Sequence, residues 1–389
     1  MARALAAGQG FADPFDRPTG PTAWQPPVLP LLLAGLLRAC GGDRTAVMAV
    51  VLFFQACVLV GTGLLVVALA RQTTGLRAGW AALAFLIGVL CNFSWCFQWT
   101  HDGWLVMLAL DLLIAGLCWL RPLARWHTAA GWGLFGGLCA LVNPIVGFTG
   151  GTLSLVLRLR DRAWARLGLS VLAAGLALAP WAIRNYLVFG RWVPVKSNLA
   201  YELYQSQCLQ PDGLLQGTTF NFHPFRSTTA ERQEYNALGE AGFAERKGQQ
   251  FRQAVRAAPQ DFFKRVVDRL LGATLWYEPF YRAQEAKRPR VLWLSRLTHP
   301  LPFLGLLVLA LSAVRAPLHR VQWTVMGVYL LYLLPYVGIS YYERFALPLL
   351  AAKVLLVLWA IDRLLSTRVK ERANKQGGRR AFRRSRVGL

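Results

Sequence analysis

Acidic residues are scarce in this chain: 19 Asp and Glu stand against 43 Lys and Arg, for a net charge of +24 at pH 7. Charged residues of both signs reach only 16%, while hydrophobic residues make up 55%. That balance excludes an ordinary soluble domain and points to a polytopic membrane protein. The positive charges sit in short loops between apolar runs and in the C-terminal tail. Membrane topology therefore explains them, and nucleic acid is not expected as a partner. No cysteine is spaced for a metal or a disulfide framework. Cys40, Cys57, Cys91, Cys96, Cys118 and Cys139 lie in or beside apolar runs, and Cys208 stands alone in a polar segment. Also missing are a P-loop, an HExxH helix, a nucleophile elbow, a dinucleotide fingerprint and any internal repeat.

What the chain does contain is apolar runs. Crossing roughly 30 Å of hydrocarbon takes about 20 residues. Residues 45–70 form a full span. Residues 79–96 and 104–120 read as a tight pair joined by 97–103. Residues 129–158 are broken at Asn143-Pro144 and read as two short helices meeting there. Further spans cover 167–186, 297–314, 321–340 and 345–365. Residues 28–40 are too short to cross and read as a helix lying at or dipping into the interface. The fold class is all-α: a polytopic membrane helix bundle with an external loop and cap.

Basic residues set the expected orientation. Arg71 and Arg77, Arg121 and Arg125, Arg158, Arg160, Arg162 and Arg166, and Arg315 and Arg320 share one side with the tail. Cytoplasmic loops hold Lys and Arg, so that side is inside. The opening loop, the loop at His101, the loop at Tyr341 and the long segment 187–290 then lie outside. That long segment ends in Arg282, Lys287, Arg288 and Arg290, against the rule, but long loops translocate largely regardless of charge. Within it, 241–258 has helical spacing. Residues 261–281 place Phe262, Val266, Leu270 and Leu271 at helical intervals among Lys264, Arg265 and Arg269, as in a helix on the headgroups. The expected division is an N-terminal membrane bundle over 1–186, a cap over 187–290, C-terminal membrane helices over 291–366, and a basic cytoplasmic tail over 367–389. The tail has no apolar period and is expected to be disordered near anionic lipid.

The first 30 residues are not a signal peptide, because no continuous apolar core is flanked by a charged start and a cleavage site. Prolines at 14, 18, 21, 26, 27 and 30 exclude regular helix over most of the stretch. It reads as a loop folded on the outer face at the mouth of a site, where irregular backbone is tolerated. Its pattern, A-x-x-L-x-x-G-x-G-F-x-x-P-F followed by G-P-T-A-x-x-P-P-x-x-P-L-L, resembles the first outer loop of bacterial GT-C membrane glycosyltransferases. That superfamily includes protein O-mannosyltransferases and lipid A aminoarabinose transferases. Two more motifs resemble the same family: P-W-x-x-R-N-Y at 180–186 followed by Phe189-Gly190, and Arg344-Phe345 followed by Pro348. In the family a first transmembrane helix and an acidic D-E-x-x-Y-like segment precede the part matching 4–10. Here that part is preceded only by Met1-Ala-Arg, and the expectation is that the helix and acid are truncated from the start or lost.

The resemblance implies a sugar transferred from a polyprenyl-phosphate carrier to an acceptor lipid, glycan or protein on the outer face of the inner membrane. Asp102, with His101 beside it, matches a second family acid at the start of a helix and would orient or deprotonate the acceptor. It would equally serve as a helix cap. Arg184 and Arg344 would hold the lipid phosphate, because a guanidinium offers paired donors to its oxygens. The alternative for Arg184 is a snorkelling interfacial side chain. Glu343, Tyr342 and His223 read as acceptor or pocket residues, with Glu202 a further contact from the cap; for Glu343 a local ion pair with Arg344 or Arg184 is the alternative. Asp111, mid-helix, must face a partner or cavity. Asp13 and Asp16 read as turn residues. The cofactor is unknown, with a divalent cation left open. The rival readings are a catalytically silent member that binds lipid-linked sugar or partners, and a transporter. A transporter should show paired interrupted helices in two halves, and only one interrupted stretch is present.

Overall fold

A computed structural model describes residues 1–15, 18–98, 101–120, 122–159 and 163–366. Asp16, Arg121, Arg160, Arg162 and the basic tail lie outside them. Among the described residues the chain is helical, and its only pairings of strand type are the isolated bridges Ala12–Pro21 and Leu214–Tyr341.

The chain begins with α1 (Ala2–Ala6) and α2 (Val28–Ala39), then α3 (Arg44–Thr73), α4 (Ala78–Cys91) and a π-turn at Ser94–Gln98. Next come α5 (Gly103–Trp119), α6 (Trp126–Val142), α7 (Pro144–Leu159) and α8 (Trp164–Phe189). The polar segment holds α9 (Leu199–Cys208), α10 (Ala230–Ala257), α11 (Pro259–Thr274) and α12 (Arg282–Glu285). The chain returns to the bundle with α13 (Pro289–Thr298), α14 (Leu301–Ser312) and α15 (Arg320–Ile339). A 3₁₀ turn at Glu343–Leu349 leads into α16, residues 350–366. Among the described residues, five stretches are long and apolar enough to cross a membrane: Arg44–Thr73, Trp164–Phe189, Pro289–Ser312, Arg320–Ile339 and Glu343–Ser366.

The centre of the bundle is built from α3, α5, α15 and α16, where Leu113, Ile114, Val325, Tyr329, Leu355 and Trp359 are almost wholly buried. In lipid there is little hydrophobic gain from helix association, so close packing and internal hydrogen bonds must hold these helices together. Both are present. Trp359 donates its indole N–H to Thr73 at 2.6 Å, Trp132 donates to Ser154 at 2.9 Å, and Gln55 donates to the Cys96 carbonyl. On the outside, Val171, Leu172, Leu176, Ile183 and Leu187 of α8 are exposed, as expected of a surface that lipid covers.

Asn143 breaks the α6–α7 stretch because the residue before a proline is driven to extended backbone; its φ and ψ are −157° and 122°. The two helices then fold back as a hairpin with Gly147 against Ala140. The expected tight pair of α4 and α5 is not formed. α4 ends at Cys91, where Asn92 folds its side chain onto the Gly88 carbonyl, and it packs on α3. α5 instead runs between α3, α15 and the 3₁₀ turn at Glu343.

The bundle has two distinct ends. At one, Trp119 bonds Gln72, Arg166 bonds the Ala124 carbonyl, and Arg363 bonds the Pro317 carbonyl. Arg71, Arg77, Arg125, Arg315 and Arg320 belong to the helix ends and loops there. At the other end lie the opening loop and the cap. Phe15 and Trp24 of the loop pack with Tyr201, Tyr235 and Phe243 of the cap in one aromatic core. Gly239 kinks α10 with a φ of +67°, a conformation that strains any residue bearing a side chain.

α11 does not lie free on headgroups. Arg269, almost wholly buried, donates from Nε to the Val337 carbonyl (2.6 Å) and from a terminal nitrogen to the Gly338 carbonyl (3.1 Å). It thereby satisfies orphan carbonyls at the end of α15. The exposed apolar stripe is consequently Phe263, Val267, Leu270 and Leu271, one residue off the expected Phe262 and Val266 register at its start.

Candidate functional site

A cavity of about 140 Å³ lies between the cap and the bundle. Its lining comes from distant parts of the chain: Trp24 and Pro26 of the opening loop, Asp102 at the start of α5, Asn143 at the α6–α7 break, Lys196, Glu202 and His223 of the cap segment, and Tyr342 and Arg344 before α16.

Asp102 occupies the N-cap position of α5, yet its side chain makes no capping hydrogen bond. His101 takes that duty: its Nδ1 accepts the Gly103 N–H at 2.8 Å. The Asp102 carboxylate is turned instead to Arg344, which pairs with it and also donates to the Tyr342 hydroxyl at 3.1 Å. Burial alone would raise the Asp102 carboxyl, but Arg344, His101 and Lys196 together hold it below the usual carboxylate range. Burial, then the charge of Arg344, drives His101 down to about 4 against the opposing pull of Asp102. The imidazole is therefore neutral at pH 7, with Nδ1 an acceptor.

A second ion pair faces the first. Lys196 and Asn198 both donate to Glu202, at 2.9 and 2.8 Å. Tyr332, Tyr336, Phe345 and Trp24 give the remaining wall an aromatic character. Asn143 reaches the Tyr336 hydroxyl at 3.3 Å, so the α6–α7 break contributes a polar group to the cavity edge. His223 is boxed by Phe220, Phe225, Trp24 and Tyr201, with its Nδ1 accepting the Phe225 N–H.

Three expected site residues do not line the cavity, and His101, turned to the Gly103 N–H beside Asp102, is the first. Arg184 does not line the cavity. Its guanidinium donates to the Thr22 and Phe11 carbonyls, both at 2.8 Å, and to Asn185 at 3.0 Å, while packing over Phe11 and Trp181. It clamps the opening loop to the end of α8, so two guanidiniums converging on one phosphate is not the geometry seen. Glu343 forms no ion pair among the described residues. Its carboxylate points away from Arg344, to the Phe280 N–H and to the side chains of Tyr277 and Trp95. Asp13, with a φ of +55°, accepts the Thr19 and Gly20 N–H groups and is a turn residue.

Lys196, on the cavity wall, and Glu240, behind it, carry no motif in the sequence. Glu240, 4% exposed, accepts from the Thr22 hydroxyl (2.5 Å), the Ala23 N–H (2.7 Å), the Ser197 hydroxyl (2.7 Å) and the Tyr235 hydroxyl (2.8 Å). This latch fixes the loop immediately before Trp24, and so sets one wall of the cavity. A carboxylate just after a glycine in an otherwise regular helix was the only available hint.

No group of three or more His, Cys, Asp or Glu side chains among the described residues is arranged to hold a metal ion. The two carboxylates lining the cavity are each engaged by a cationic side chain. That donor set does not suit a divalent cation. The fold and site define a helical membrane protein with a capped cavity at one end of the bundle. Comparison with protein-family models, curated proteins and solved structures finds no match to this chain.

Proposed function

We propose that the protein is a membrane glycosyltransferase that takes a sugar from a polyprenyl-phosphate carrier and passes it to an acceptor in the cavity beneath the cap. The observation that carries the reading is the Asp102–Arg344 pair. It joins the acid and the arginine of two motifs resembling GT-C enzymes, inside an aromatic-lined cavity. In the reaction, an acceptor oxygen or nitrogen attacks the anomeric carbon. The bond from that carbon to the phosphate oxygen breaks, and the phosphate leaves with the bonding electrons. The acceptor proton passes to a cavity carboxylate, Asp102 or Glu202. Arg344 offsets the charge that grows on the phosphate, an interaction stronger in the transition state than in the ground state. Tyr342 and the other aromatic residues supply faces for the sugar.

The arginine-rich end opposite the cap supports a cytoplasmic placement of that end in the plasma membrane, with the cap and cavity outside. One observation favours a second reading, a sugar-lipid-binding protein without catalysis: both cavity carboxylates are already ion-paired. The test is transfer from a panel of polyprenyl-phosphate sugars in proteoliposomes. Enzyme activity should fall by about 10²-fold or more in Arg344→Ala and Asp102→Asn. No transfer by the unaltered protein, with carrier still bound, would establish the binding role instead.

A further inference from the structure

A second basic feature lies away from the cavity. Arg296 of α13 places its guanidinium between two half-exposed indoles, with its carbon 4.6 Å from the ring centre of Trp276 and 5.6 Å from that of Trp293. Its Nε is buried and has no hydrogen-bond partner, and no carboxylate of the described residues lies within ion-pair distance. An arginine fixed by stacking and left without an anion has donors to offer. Three more exposed cations, Lys287, Arg288 and Arg290, lie just before and at the start of α13.

The surroundings place this arginine at a membrane boundary. The stretch Pro289–Ser312 has 24 residues, about 36 Å as helix against roughly 30 Å of hydrocarbon. Its first turn therefore stands in the headgroup layer, where tryptophan is enriched, and Arg296 in the next turn reaches back to that layer along its own stem. Leu294, Leu297, Leu301 and Leu304 continue from Trp293 as the exposed surface of that span. The exposed stripe of α11, Phe263, Val267, Leu270 and Leu271, leads towards Trp276, where α11 meets this span. α11 is fixed there: Arg269 holds it to α15, and His299 meets the Gly272 carbonyl at 3.0 Å. That end of the stripe therefore adjoins the exposed apolar surface of the span.

We propose that Trp276, Arg296 and Trp293 form a headgroup site for an anionic phospholipid of the surrounding bilayer, with its acyl chains on the apolar faces of α11 and the Pro289–Ser312 span. Arg296 donates to the phosphate, the indoles flank the glycerol region, and the basic residues at the start of α13 select negative headgroups. This gives a use to the basic cluster that runs against the charge rule for an external segment. It also seats the cap on the bilayer by a lipid contact as well as by protein contacts.

Two measurements on the whole chain test this. A photoreactive benzoyl-phenylalanine placed at Val267 or Arg252 is irradiated in nanodiscs containing phosphatidylglycerol and phosphatidylethanolamine. A phospholipid mass adduct is expected at 267 and not at 252. Absence of a lipid adduct at 267, or equal adducts at both, would overturn the seating of α11. Native mass spectrometry then compares phosphatidylglycerol retained by the unaltered protein, Arg296→Gln, Arg296→Lys and a control, Arg191→Gln. Roughly tenfold weaker retention is expected for Arg296→Gln, with part restored by Arg296→Lys and no change in the control. Melting curves identify any variant that has lost its fold, and Arg296→Lys keeps the comparison valid if Arg296→Gln has. Equal retention by the unaltered and folded variant proteins, or equal retention of the zwitterionic lipid, would overturn the proposal.

Discussion

Asp102 and Arg344 lie 242 positions apart in the chain, yet the guanidinium of one closes on the carboxylate of the other. The contact ties the start of α5 to the turn before α16 at the floor of the cavity. Both side chains keep over a quarter of their surface exposed, at 28% and 29%. The pair is thus partly solvated, and breaking it should cost less than a fully buried pair would, about 1–3 kcal/mol. Asp102→Asn and Arg344→Gln should each lower the melting temperature, and the double variant should lose less than the sum. A double-mutant cycle by thermal unfolding in detergent checks this. Strict additivity would mean the two side chains are not energetically coupled.

Glu240 supplies the second prediction. Four donors converge on one buried carboxylate, from the opening loop, the segment after α8, and α10 itself. Glu240→Ala strands all four and should destabilise the cap by about 3 kcal/mol or more. Glu240→Gln keeps the shape but replaces one acceptor oxygen with an N–H₂ group, and should lose an intermediate amount. Limited proteolysis gives the readout: the loop over 8–24 should become cleavable in Glu240→Ala before the bundle does. Unchanged cleavage would show that Arg184 and the aromatic core of Phe15 and Trp24 hold the loop without Glu240.

The membrane helices were readable in the sequence because each is a local property. A run of apolar residues of sufficient length is visible without knowing its neighbours, and so is the break that Pro144 forces on Asn143. The separation of basic and cap-bearing ends was readable for the same reason. Partnerships were not. Arg184 looked like a phosphate ligand because its motif ends a span on the cap side. Its actual acceptors are carbonyls 162 and 173 positions away, which no pattern within 180–190 encodes. Glu240 bonds residues 217 and 218 positions away and carries no motif at all. α4 and α5 are neighbours in sequence but not in space, because α4 packs on α3 while α5 enters the centre of the bundle. Of the candidate site, Asp102, Glu202, Arg344, Tyr342 and His223 are visible as candidates in the sequence, but which of them share a cavity depends on how the cap closes.

His223 gives a pH dependence with a definite sign. Burial in its aromatic box pushes the imidazole down to about 3. The folded protein keeps it neutral, whereas the unfolded chain protonates it below about 6.5. Between those values the unfolded state binds more protons, so stability falls as pH falls from about 6.5 towards 3. His101, held down to about 4, contributes in the same direction over the upper part of that window. His223→Asn keeps an acceptor near the Phe225 N–H and removes the titration. Its melting temperature should fall less steeply between pH 6.5 and 4 than that of the unaltered protein. Parallel slopes would show that His223 is not protected from water.

Asp111 and Thr62 make the remaining case, and it turns on counting protons. The Thr62 hydroxyl lies 2.8 Å from the Val58 carbonyl and 2.6 Å from Asp111 Oδ2. A hydroxyl carries one proton and can donate only once. If that proton serves Val58, as it does in the usual back-bond of a helical threonine, the bond to Asp111 must be made by a proton on the carboxyl. Asp111 then joins α5 to α3 as a neutral acid, consistent with a buried position within a membrane helix. Asp111→Asn can donate from its N–H₂ group to the same oxygen, and should cost under about 1 kcal/mol. Asp111→Ala removes the interhelical bond and leaves a small void, and should cost about 1–2 kcal/mol on the scale of hydrogen bonds between membrane helices. Thermal unfolding in detergent at pH 7 ranks the two, and infrared difference spectra of Asp111→Asn should lack one protonated-carboxyl stretch. If asparagine destabilises as much as alanine does, and that stretch is absent from the unaltered protein, the proton belongs to Thr62 and the acid is ionised.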